Sequence, residues 1–414
     1  MLNLQGDPMP KTYTVEIKPG FYLLRIDDDQ IKYFEGLWYI PEGITYNAYL
    51  LKTKDGYVLF DAWKHIYGKE FINELKKIVD PKEIKYLIIH HMEPDHSGSI
   101  KDLLEINSEI LVLGHPLTKG MIESFYNVKP KFKPVKDNEV LEIGEYKLQF
   151  IYTPWLHWPE TIMTYIEDLH VLLTCDAFGS YNILDKIYDT ELSPEEHKEY
   201  MFYTRKYIAT VIGHYASWIE KALNKLESLG FNIEMIAPAH GIIWKNPDII
   251  MKYYHSWSRG TSVSGKKKIV VVYSSMYGFV DKAVKEAVKV LDEKKAFYKV
   301  YRFLDYYRDK YSDLLADLLN SSAIILGTAT YEASIFPLMR YILDLIIEKI
   351  PKNKKVLVIT NYGWGGVAGK KIRELLTNNG FEVVDVVEFR AGQIDKFRDK
   401  IVEATNKLLE ILGE

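Results

Sequence analysis

The chain has 414 residues, of which 47% are hydrophobic and 27% charged, and its formal net charge is −4. These values indicate a globular protein of two or three domains. The mild net charge does not suggest a nucleic-acid-binding protein, and since no segment approaches 18 consecutive apolar residues, we expect no membrane span. Cys175 is the only cysteine, which excludes an intrachain disulfide and a cysteine-ligated cluster and favours a reducing cytoplasm. Residues 1–13 lack a basic stretch followed by an apolar one, so we expect no signal peptide.

The first 260 residues predict an α/β domain with two sheets and much antiparallel structure. Alternating or buried apolar segments predict strands at 12–17, 21–26, 31–40, 46–53, 57–62, 84–90, 110–114, 145–152, 161–167, 170–177 and 234–240. Helical apolar spacing predicts helices at 67–79, near 98–105 and 116–126, and over two stretches within 195–229.

The second part of the chain predicts a separate domain with a regular pattern. The Gly-, Ser- and Lys-rich segment 259–268 is typical of a linker, so we predict domains at 1–260 and 268–414 joined by a linker at 261–267. Five strands then alternate with five helices. The predicted strands are 269–273, 297–303, 323–328, 355–361 and 381–389, and the predicted helices lie near 279–292, 310–319, 335–348, 368–377 and 394–411. Such alternation predicts a doubly wound, parallel five-stranded sheet.

Side chains that can bind a metal recur at strand ends of the first domain. They are His91, Glu93, Asp95 and His96 in HHMEPDHSGS, His157 in TPWLHWPET, Asp176 in LLTCDAFG and His240 in APAHG. Loops at one edge of a sheet can bring such residues to one point. Four histidines and three carboxylates are too many for one ion and suit two. The added carboxylates favour iron or manganese over a purely nitrogen-ligated metal.

Simpler interpretations exist for each of these residues taken alone. His157 could be a hydrogen-bonded histidine of the core or surface, and Asp95 or Ser97 could cap the helix near 98–105. Asp176 is the candidate for a carboxylate that bridges two cations. Cys175 is most simply a small buried apolar residue. The remaining histidines match no pattern; they are His65, His90, His115, His170, His197, His214 and His255.

The pattern His-x-Glu-x-Asp-His followed by His157, Asp176 and His240 resembles a metallo-β-lactamase-type domain. Hydrolases of that superfamily usually carry a second histidine at the position of Glu93, whereas glutamate there is similar to the flavodiiron proteins. The resemblance implies an αββα sandwich that holds a non-haem diiron centre. It implies further that His91, Glu93 and His157 bind one iron, that Asp95, His96 and His240 bind the other, and that Asp176 lies between them.

The second domain opens with VVVYSSMYGFVDKAV, in which a strand runs into a loop and then a helix. Such a loop offers backbone N–H groups and a helix N-terminus to a phosphate. It is similar to the phosphate loop of flavodoxins, although Phe279 and Val280 stand where the flavodiiron family usually has Ser or Asn and then Thr. The loss of the threonine hydroxyl removes one phosphate contact.

Two further loops resemble the second and third flavin loops of the family. LGTATYEASIFP has Ala329 and Glu332 in place of the more usual Pro and Asn, and TNYGWGG contains Trp364. The resemblance implies bound FMN, since no adenine-binding half is evident. The residues predicted to bind it are Ser275, Met276, Tyr277, Gly278, Phe279, Val280, Ala329, Thr330, Tyr331, Asn361, Tyr362, Gly363, Trp364, Gly365 and Gly366.

The resemblance covers nearly the whole chain and implies an oxidoreductase. In this family the flavin feeds electrons to the diiron site, which reduces dioxygen to water or nitric oxide to nitrous oxide. With one cysteine the chain has no rubredoxin domain, so the resemblance implies a separate donor, either a rubredoxin or a reduced deazaflavin coenzyme. It also implies a head-to-tail homodimer, or a tetramer, in which each flavin serves the partner's iron site.

The charge distribution is compatible with such an assembly. Residues 1–265 carry 28 Lys and Arg against 37 Asp and Glu, a net of −9, whereas residues 266–414 carry 25 against 20, a net of +5. Domains of opposite sign attract one another, although ordinary compositional drift explains the difference equally well.

Two rival functions predict different observations. A zinc hydrolase fused to a flavodoxin-like domain predicts bound zinc and cleavage of thioesters or lactams, and Glu93 argues against it. An electron carrier with a relic metal site predicts at least one lost ligand, and all seven positions match the family pattern.

Overall fold

The structure, a computed structural model, describes residues 10–414 and contains two compact units. One unit comprises the described chain up to Tyr207 together with Lys221–Met251, and the other comprises Ile208–Glu220 together with Lys252–Glu414. The domain and linker boundaries drawn from the sequence stay a prediction. The expectation about a signal peptide concerns residues that lie largely outside the described range. No helix in residues 10–414 is long and apolar enough to cross a membrane.

Seven strands form the first sheet of the first unit within the described residues. In spatial order they are β1 (Thr12–Lys18), β2 (Phe21–Asp28), β5 (Ile44–Thr53), β6 (Gly56–Phe60), β7 (Ile84–Ile89), β8 (Leu111–Gly114) and β9 (Lys131–Pro134). The pairs from β1 to β6 are antiparallel and those from β6 to β9 are parallel. β5 lies between β2 and β6 and is buried along almost its whole length.

A two-stranded ribbon replaces the single strand predicted over 31–40. β3 (Tyr33–Phe34) pairs with β4 (Trp38–Tyr39) in an antiparallel register. Glu35 has φ of 52° and Gly36 has φ of 70°, so the chain reverses direction between the two strands. The apolar pattern was read correctly as β structure, but the turn within it was missed.

The second sheet of the first unit packs face to face on the first. Along the described chain its strands are β10 (Val140–Ile143), β11 (Tyr146–Tyr152), β12 (Ile162–Ile166), β13 (Val171–Cys175) and β14 (Met235–Pro238), and they are neighbours in this order. All pairs are antiparallel except β13 with β14, which is parallel. Phe60 and Ile88 of the first sheet and Phe150 and Leu173 of the second share one buried apolar cluster. The core of this unit therefore lies between the sheets.

Seven helices lie between Gly68 and Ser258. They are α1 (Gly68–Leu75), α2 (Pro94–Ser97), α3 (Ile100–Ile106), α4 (Thr118–Tyr126), α5 (Pro194–Tyr207), α6 (Ala216–Leu229) and α7 (Pro247–Ser258). Between α5 and α6 the chain forms a π-helical turn at Ile208–Ile212 and a 3₁₀ turn at Gly213–Tyr215. Further 3₁₀ turns of this part of the chain lie at His65–Tyr67, Pro81–Glu83, Glu167–Leu169 and Asp189–Glu191. One more, Ile394–Lys396, lies in the second unit. The sequence interpretation missed α7, which directly precedes the predicted linker.

The second unit contains the predicted parallel sheet. In spatial order its parallel strands are β16 (Phe297–Leu304), β15 (Lys268–Ser275), β17 (Ala323–Tyr331), β19 (Lys355–Tyr362) and β20 (Glu382–Arg390), and the short β18 (Ser334–Ile335) pairs antiparallel with β17. The helices are α8 (Phe279–Glu293), α9 (Tyr311–Leu319), α10 (Pro337–Lys349), α11 (Ala368–Asn378) and α12 (Arg398–Leu412). Every residue of β15 is buried, as expected for a central strand covered on both faces.

The two sheets of the first unit and the doubly wound sheet of the second confirm the predicted fold class. The order 2-1-3-4-5 of the parallel strands in the second unit is that of flavodoxin-like folds. Such sheets bind ligands outside the carboxyl ends of their strands, at the point where the strand order reverses.

The close packing of α8 on β17 can be tested by adding a methyl group at Gly327. A Cβ atom at Gly327 would lie 2.6 Å from Val284 Cγ2 and 2.7 Å from Tyr273 Cβ. We expect Gly327→Ala to lower the free energy of unfolding by about 1–3 kcal/mol, measured by chemical denaturation. The control is Gly120→Ala in α4, where a Cβ meets no atom within 4 Å and helix propensity favours alanine by about 1 kcal/mol. Unchanged stability of Gly327→Ala would contradict the packing described for this strand.

Candidate functional site

The first four candidate ligands lie where β7 leaves the first sheet. His91 and Glu93 are in the loop after the strand, and Asp95 and His96 are in the short helix α2. Pro94 occupies the first position of that helix, where its missing N–H and fixed φ favour helix initiation. The loop is compact because the N–H groups of His96 and Ser97 both donate to the carbonyl of Glu93, at 3.0 Å each. Four polar side chains are thereby presented within a few residues.

The other three candidates lie at strand ends of the second sheet. His157 is in the loop between β11 and β12, Asp176 directly follows β13, and His240 follows β14. Since β13 and β14 are parallel neighbours, Asp176 and His240 leave the sheet at the same edge. The structure therefore brings all seven predicted residues together.

One group of ligand atoms comes from His91, Glu93, His157 and Asp176, all within 4.8 Å of one another. His157 Nε2 lies 2.8 Å from Glu93 Oε2, and His91 Nε2 lies 3.4 Å from the same oxygen. Asp176 Oδ2 is 3.4 Å from His91 Nε2 and 3.7 Å from His157 Nε2. Two imidazoles and two carboxylates thus face a common point.

A second group comes from Asp95, His96 and His240, again within 4.8 Å. His96 Nε2 lies 3.4 Å from Asp95 Oδ1, and His240 Nε2 lies 3.4 Å from Asp95 Oδ2. Asp176 Oδ1 is 3.0 Å from His96 Nε2 and 3.3 Å from His240 Nε2. Asp176 therefore points one oxygen at each group, the arrangement expected of a bridging carboxylate.

The polar atoms at this point lack the partners that buried groups normally have. Buried atoms without a hydrogen-bond partner in the described chain include His91 Nε2, Asp95 Oδ1, Asp95 Oδ2, Asp176 Oδ2 and His240 Nε2. An unpaired buried polar group costs about 1–3 kcal/mol, so several of them facing one another call for a shared cation. The mixed imidazole and carboxylate set fits iron, as the sequence predicted.

The electrostatics of the cluster support a shared cation. Burial alone would raise the pKa of Asp176, but the neighbouring histidines, His96 first, hold it well below its usual range. Burial alone would lower the pKa of His240, but the nearby carboxylates of Asp176 and Asp95 raise it to about 10. The carboxylates of Asp176 and Asp95 and the imidazole of His240 therefore stabilise one another's charged forms, and cations at this point would take over the role of the proton.

Three groups outside the cluster form hydrogen bonds with candidate ligands and fix their orientation. His91 Nδ1 donates to Glu160 Oε1 at 2.9 Å, and His240 Nδ1 donates to the carbonyl of Thr45 at 2.6 Å, which leaves Nε2 of each ring free for a metal. The hydroxyl of Tyr207 donates to Asp176 Oδ1 at 2.6 Å. Sequence reasoning missed all three. Only Glu160, three residues after His157, offered a signal, since Tyr207 is one of 31 tyrosines and Thr45 acts through its backbone.

Two nearby residues have other roles. His90 lies between Asp61 Oδ2 at 2.7 Å and Thr164 Oγ1 at 2.8 Å, so it links the two sheets and does not face the ligand groups. Cys175 lies within reach of His96 and Asp176. Burial raises the pKa of the Cys175 thiol well above its usual value, which keeps it protonated and disfavours it as a ligand.

A cavity of about 250 Å³ leads from the surface to the cluster. Its walls include Phe34, Tyr46 and Lys64, and it ends at Glu93 and Asp95. A molecule of a few atoms can therefore reach these two carboxylates from outside.

The predicted flavin residues lie on three loops at the carboxyl edge of the parallel sheet. The first loop joins β15 to α8, where Ser275 Oγ accepts hydrogen bonds from the N–H groups of Gly278 at 3.2 Å and Asp281 at 3.4 Å. Gly278 has φ of 80°, and Tyr277 is 82% exposed. The side chain of Val280 packs in the core, so it is not available to a ligand at the loop.

The second and third loops are joined by hydrogen bonds. Thr330 Oγ1 accepts from the N–H groups of Val367 at 3.2 Å and Ala368 at 3.1 Å, which ties the end of β17 to the start of α11. Trp364 is 86% exposed, and Cβ atoms at Gly363 and Gly365 would meet no atom within 4 Å. Open space beside exposed aromatic rings fits a planar ligand. The structure thus places all three predicted loops, with Met276, Phe279, Ala329, Tyr331, Asn361, Tyr362 and Gly366, at one edge.

Comparisons with known proteins agree with these two sites. Residues 44–241 match the family model described as ODP family beta lactamase. The chain is 30% identical to a nitric oxide reductase of Moorella thermoacetica, over 89% of this chain and 91% of that protein. It is 27% identical to a rubredoxin-oxygen oxidoreductase of Megalodesulfovibrio gigas, over 89% and 90% respectively. It superposes with a TM-score of 0.92 and 41% identity on a variant of the flavo di-iron protein of Thermotoga maritima, over 98% of this chain and 100% of that chain.

The position of Asp176 between the two ligand groups generates a test by metal analysis. His240→Ala removes a ligand from the second group alone, so we expect that variant to retain about one metal ion per chain. Asp176→Ala removes the carboxylate shared by both groups and should retain neither ion. Metal content after desalting distinguishes these outcomes.

Cys175→Ala serves as the matched control, since it truncates a buried residue beside Asp176. The protonated thiol predicts that this variant keeps both ions. Loss of an ion from Cys175→Ala, or retention of both ions by Asp176→Ala, would show that the ligands are wrongly assigned.

Proposed function

This chain belongs to the flavodiiron protein family, and we propose that its seven clustered side chains hold the family's two iron ions. The protein is an oxidoreductase whose cofactors are FMN and a non-haem diiron centre. In the proposal one iron is bound by His91, Glu93 and His157, the other by Asp95, His96 and His240, and Asp176 bridges them. The observation that supports this most directly is that the two oxygens of Asp176 face different ligand groups.

We propose dioxygen, nitric oxide or both as the substrate. When bound, FMN passes electrons from an external donor to the diiron centre, which reduces dioxygen to water or nitric oxide to nitrous oxide. The relatives named nitric oxide reductase and rubredoxin-oxygen oxidoreductase support these two reactions. The cavity of about 250 Å³ lined in part by Glu93 and Asp95 supports a small substrate.

Side chains around the centre prepare it for this chemistry. The negative charge of Asp176 offsets repulsion between two cations, and the hydroxyl of Tyr207 fixes the orientation of that carboxylate. The rings of Phe34 and Tyr46 pack edge-on against His240, with centroids 6.0 and 5.6 Å away. They exclude bulk water from that side of the site, which strengthens the electrostatic interactions within it.

We propose that the three loops of the second unit hold FMN, with its phosphate at the N-terminus of α8. The backbone N–H groups of Phe279 and Val280 belong to the first turn of the helix and have no intrahelical acceptor. Tyr331, Tyr362 and Trp364 supply aromatic surface for the isoalloxazine ring. The buried side chain of Val280 offers no hydroxyl to the phosphate, so the backbone carries that interaction.

The donor, the assembly and the location are further parts of the proposal. A separate rubredoxin or a reduced deazaflavin coenzyme supplies electrons, as the family resemblance implies. Two chains, or two such pairs, associate head to tail, which the opposite net charges of residues 1–265 and 266–414 favour. A cytoplasmic location suits a chain with one cysteine.

The two rival functions, a zinc hydrolase and an electron carrier with a relic metal site, are not favoured. A zinc hydrolase would want histidine at the position of Glu93, and the relatives named above are reductases and oxidoreductases. A carrier with a relic metal site would have lost a ligand, whereas all seven residues face one another.

The bridging role predicts the behaviour of Asp176→Ala in turnover. Loss of the shared carboxylate should abolish reduction of dioxygen and nitric oxide while FMN stays bound, because the flavin loops lie in the other unit. Gas consumption and the flavin absorption spectrum measure the two effects. Asp185→Ala, which alters an exposed aspartate of the same unit, should keep both properties. Full turnover by Asp176→Ala would refute the bridge.

The head-to-tail assembly predicts complementation between two inactive variants. Gly278→Glu places a carboxylate in the phosphate loop and should prevent FMN binding, while Asp176→Ala lacks the metal centre. Coexpressed, the two chains should regain about a quarter of wild-type gas reduction, since half the dimers are mixed and each mixed dimer has one intact pair of sites. Each variant alone is the control. No recovery in purified mixed dimers would show that electrons pass within one chain.

A further inference from the structure

Glu160 is a buried carboxylate to which the proposed function assigns no role. Its residue is fully buried, and Oε1 accepts hydrogen bonds from His91 Nδ1 at 2.9 Å and from the N–H of Met92 at 3.0 Å. Oε2 has no hydrogen-bond partner in the described part of the chain. A buried carboxylate with one unpaired oxygen is costly, so its retention calls for a compensating positive charge close by. The side-chain partner of Glu160 is His91, a proposed iron ligand, so a cation bound there would supply that charge.

The loop that carries Glu160 also carries a candidate ligand. His157 and Glu160 both lie between β11 and β12, and both act on the same ligand group. His157 faces the metal position directly, whereas Glu160 reaches it through the imidazole of His91. One short loop therefore supplies a ligand and orients another.

Within residues 10–414, no such carboxylate is hydrogen-bonded to the Nδ1 atoms of the second ligand group's histidines. His240 Nδ1 donates to a neutral acceptor, the carbonyl of Thr45, at 2.6 Å. His96 Nδ1 is buried without a hydrogen-bond partner among the described residues. The outer partners thus place negative charge behind one metal position and none behind the other.

We infer that Glu160 makes the two iron positions electronically unequal, lowering the reduction potential of the iron held by His91, Glu93 and His157. The inference rests on the proposed function, since it takes these residues as iron ligands. A carboxylate that accepts the Nδ1–H of a ligating imidazole makes that imidazole a stronger donor and fixes its tautomer. Stronger donation and nearby negative charge favour the ferric over the ferrous ion.

The difference between the two reduction potentials sets the order in which the two irons would be reduced. With iron bound, FMN would pass one electron to each ferric ion to give a ferrous ion, and no bond would be broken. The position formed by Asp95, His96 and His240 would be reduced first, and the position backed by Glu160 second. The two steps therefore occur at separate potentials.

Glu160→Gln tests the inference because its amide oxygen keeps both hydrogen bonds while the charge is lost. We expect the variant to retain two irons and FMN. An EPR-monitored redox titration should show the lower of the two iron potentials raised, by about 59 mV if the ferric ion loses tenfold in relative affinity. Glu74→Gln is the matched control, since Glu74 is a buried glutamate of the same unit that is hydrogen-bonded to Thr12 and Thr14. It should leave both potentials unchanged.

Unchanged potentials in an iron-loaded Glu160→Gln variant would overturn the inference and leave the proposed function standing. If Glu160→Gln does not retain iron, stepwise Co²⁺ titration of metal-free Glu160→Asp and wild type gives a second measurement. We expect about 10–100-fold weaker binding in one of the two steps. Equal weakening of both steps, or of neither, would also overturn it. A wild-type protein without two irons would instead contradict the proposed function itself.

Discussion

The buried carboxylate of Asp176 is the group on which the first unit depends. A carboxylate removed from water costs several kcal/mol unless positive charge or hydrogen bonds replace its hydration. Here four imidazoles and the hydroxyl of Tyr207 surround it, and the histidines keep its pKa well below the usual range. The site is therefore held together by charge that only cations or protons can balance, and this explains why so many titratable groups remain buried at one point.

The fold supplies this arrangement through strand ends. β7 belongs to the first sheet and β13 and β14 to the second, so the ligand groups draw on both layers of the sandwich. The rigid apolar core between the layers fixes the edge from which the loops project. Groups behind the ligands, such as Glu160 and the carbonyl of Thr45, then set the orientation of each imidazole. The same principle operates in the second unit, where three loops leave the carboxyl edge of the parallel sheet.

Much of this was predictable from the sequence because strand ends and metal-binding side chains coincide. The motif at 90–99 follows a strong apolar run, and the regular alternation after residue 268 permits few folds. The roles of the individual ligand and flavin residues stay predictions, although the structure places them together. Glu160 and Tyr207 were missed because their partners, His91 and Asp176, are 69 and 31 residues away, and local patterns carry no information about such contacts. The turn at Glu35 and Gly36 was missed although Gly36 is a turn signal, because the apolar and aromatic residues on both sides of it were taken as one strand.

The most direct test of the central claim is the content of iron, zinc and FMN per chain in freshly purified protein. The seven-residue cluster bridged by Asp176 predicts about two irons and one FMN, with little zinc. Two zinc ions that persist after expression in iron-supplemented medium would contradict the diiron assignment and would make Glu93 the residue to explain.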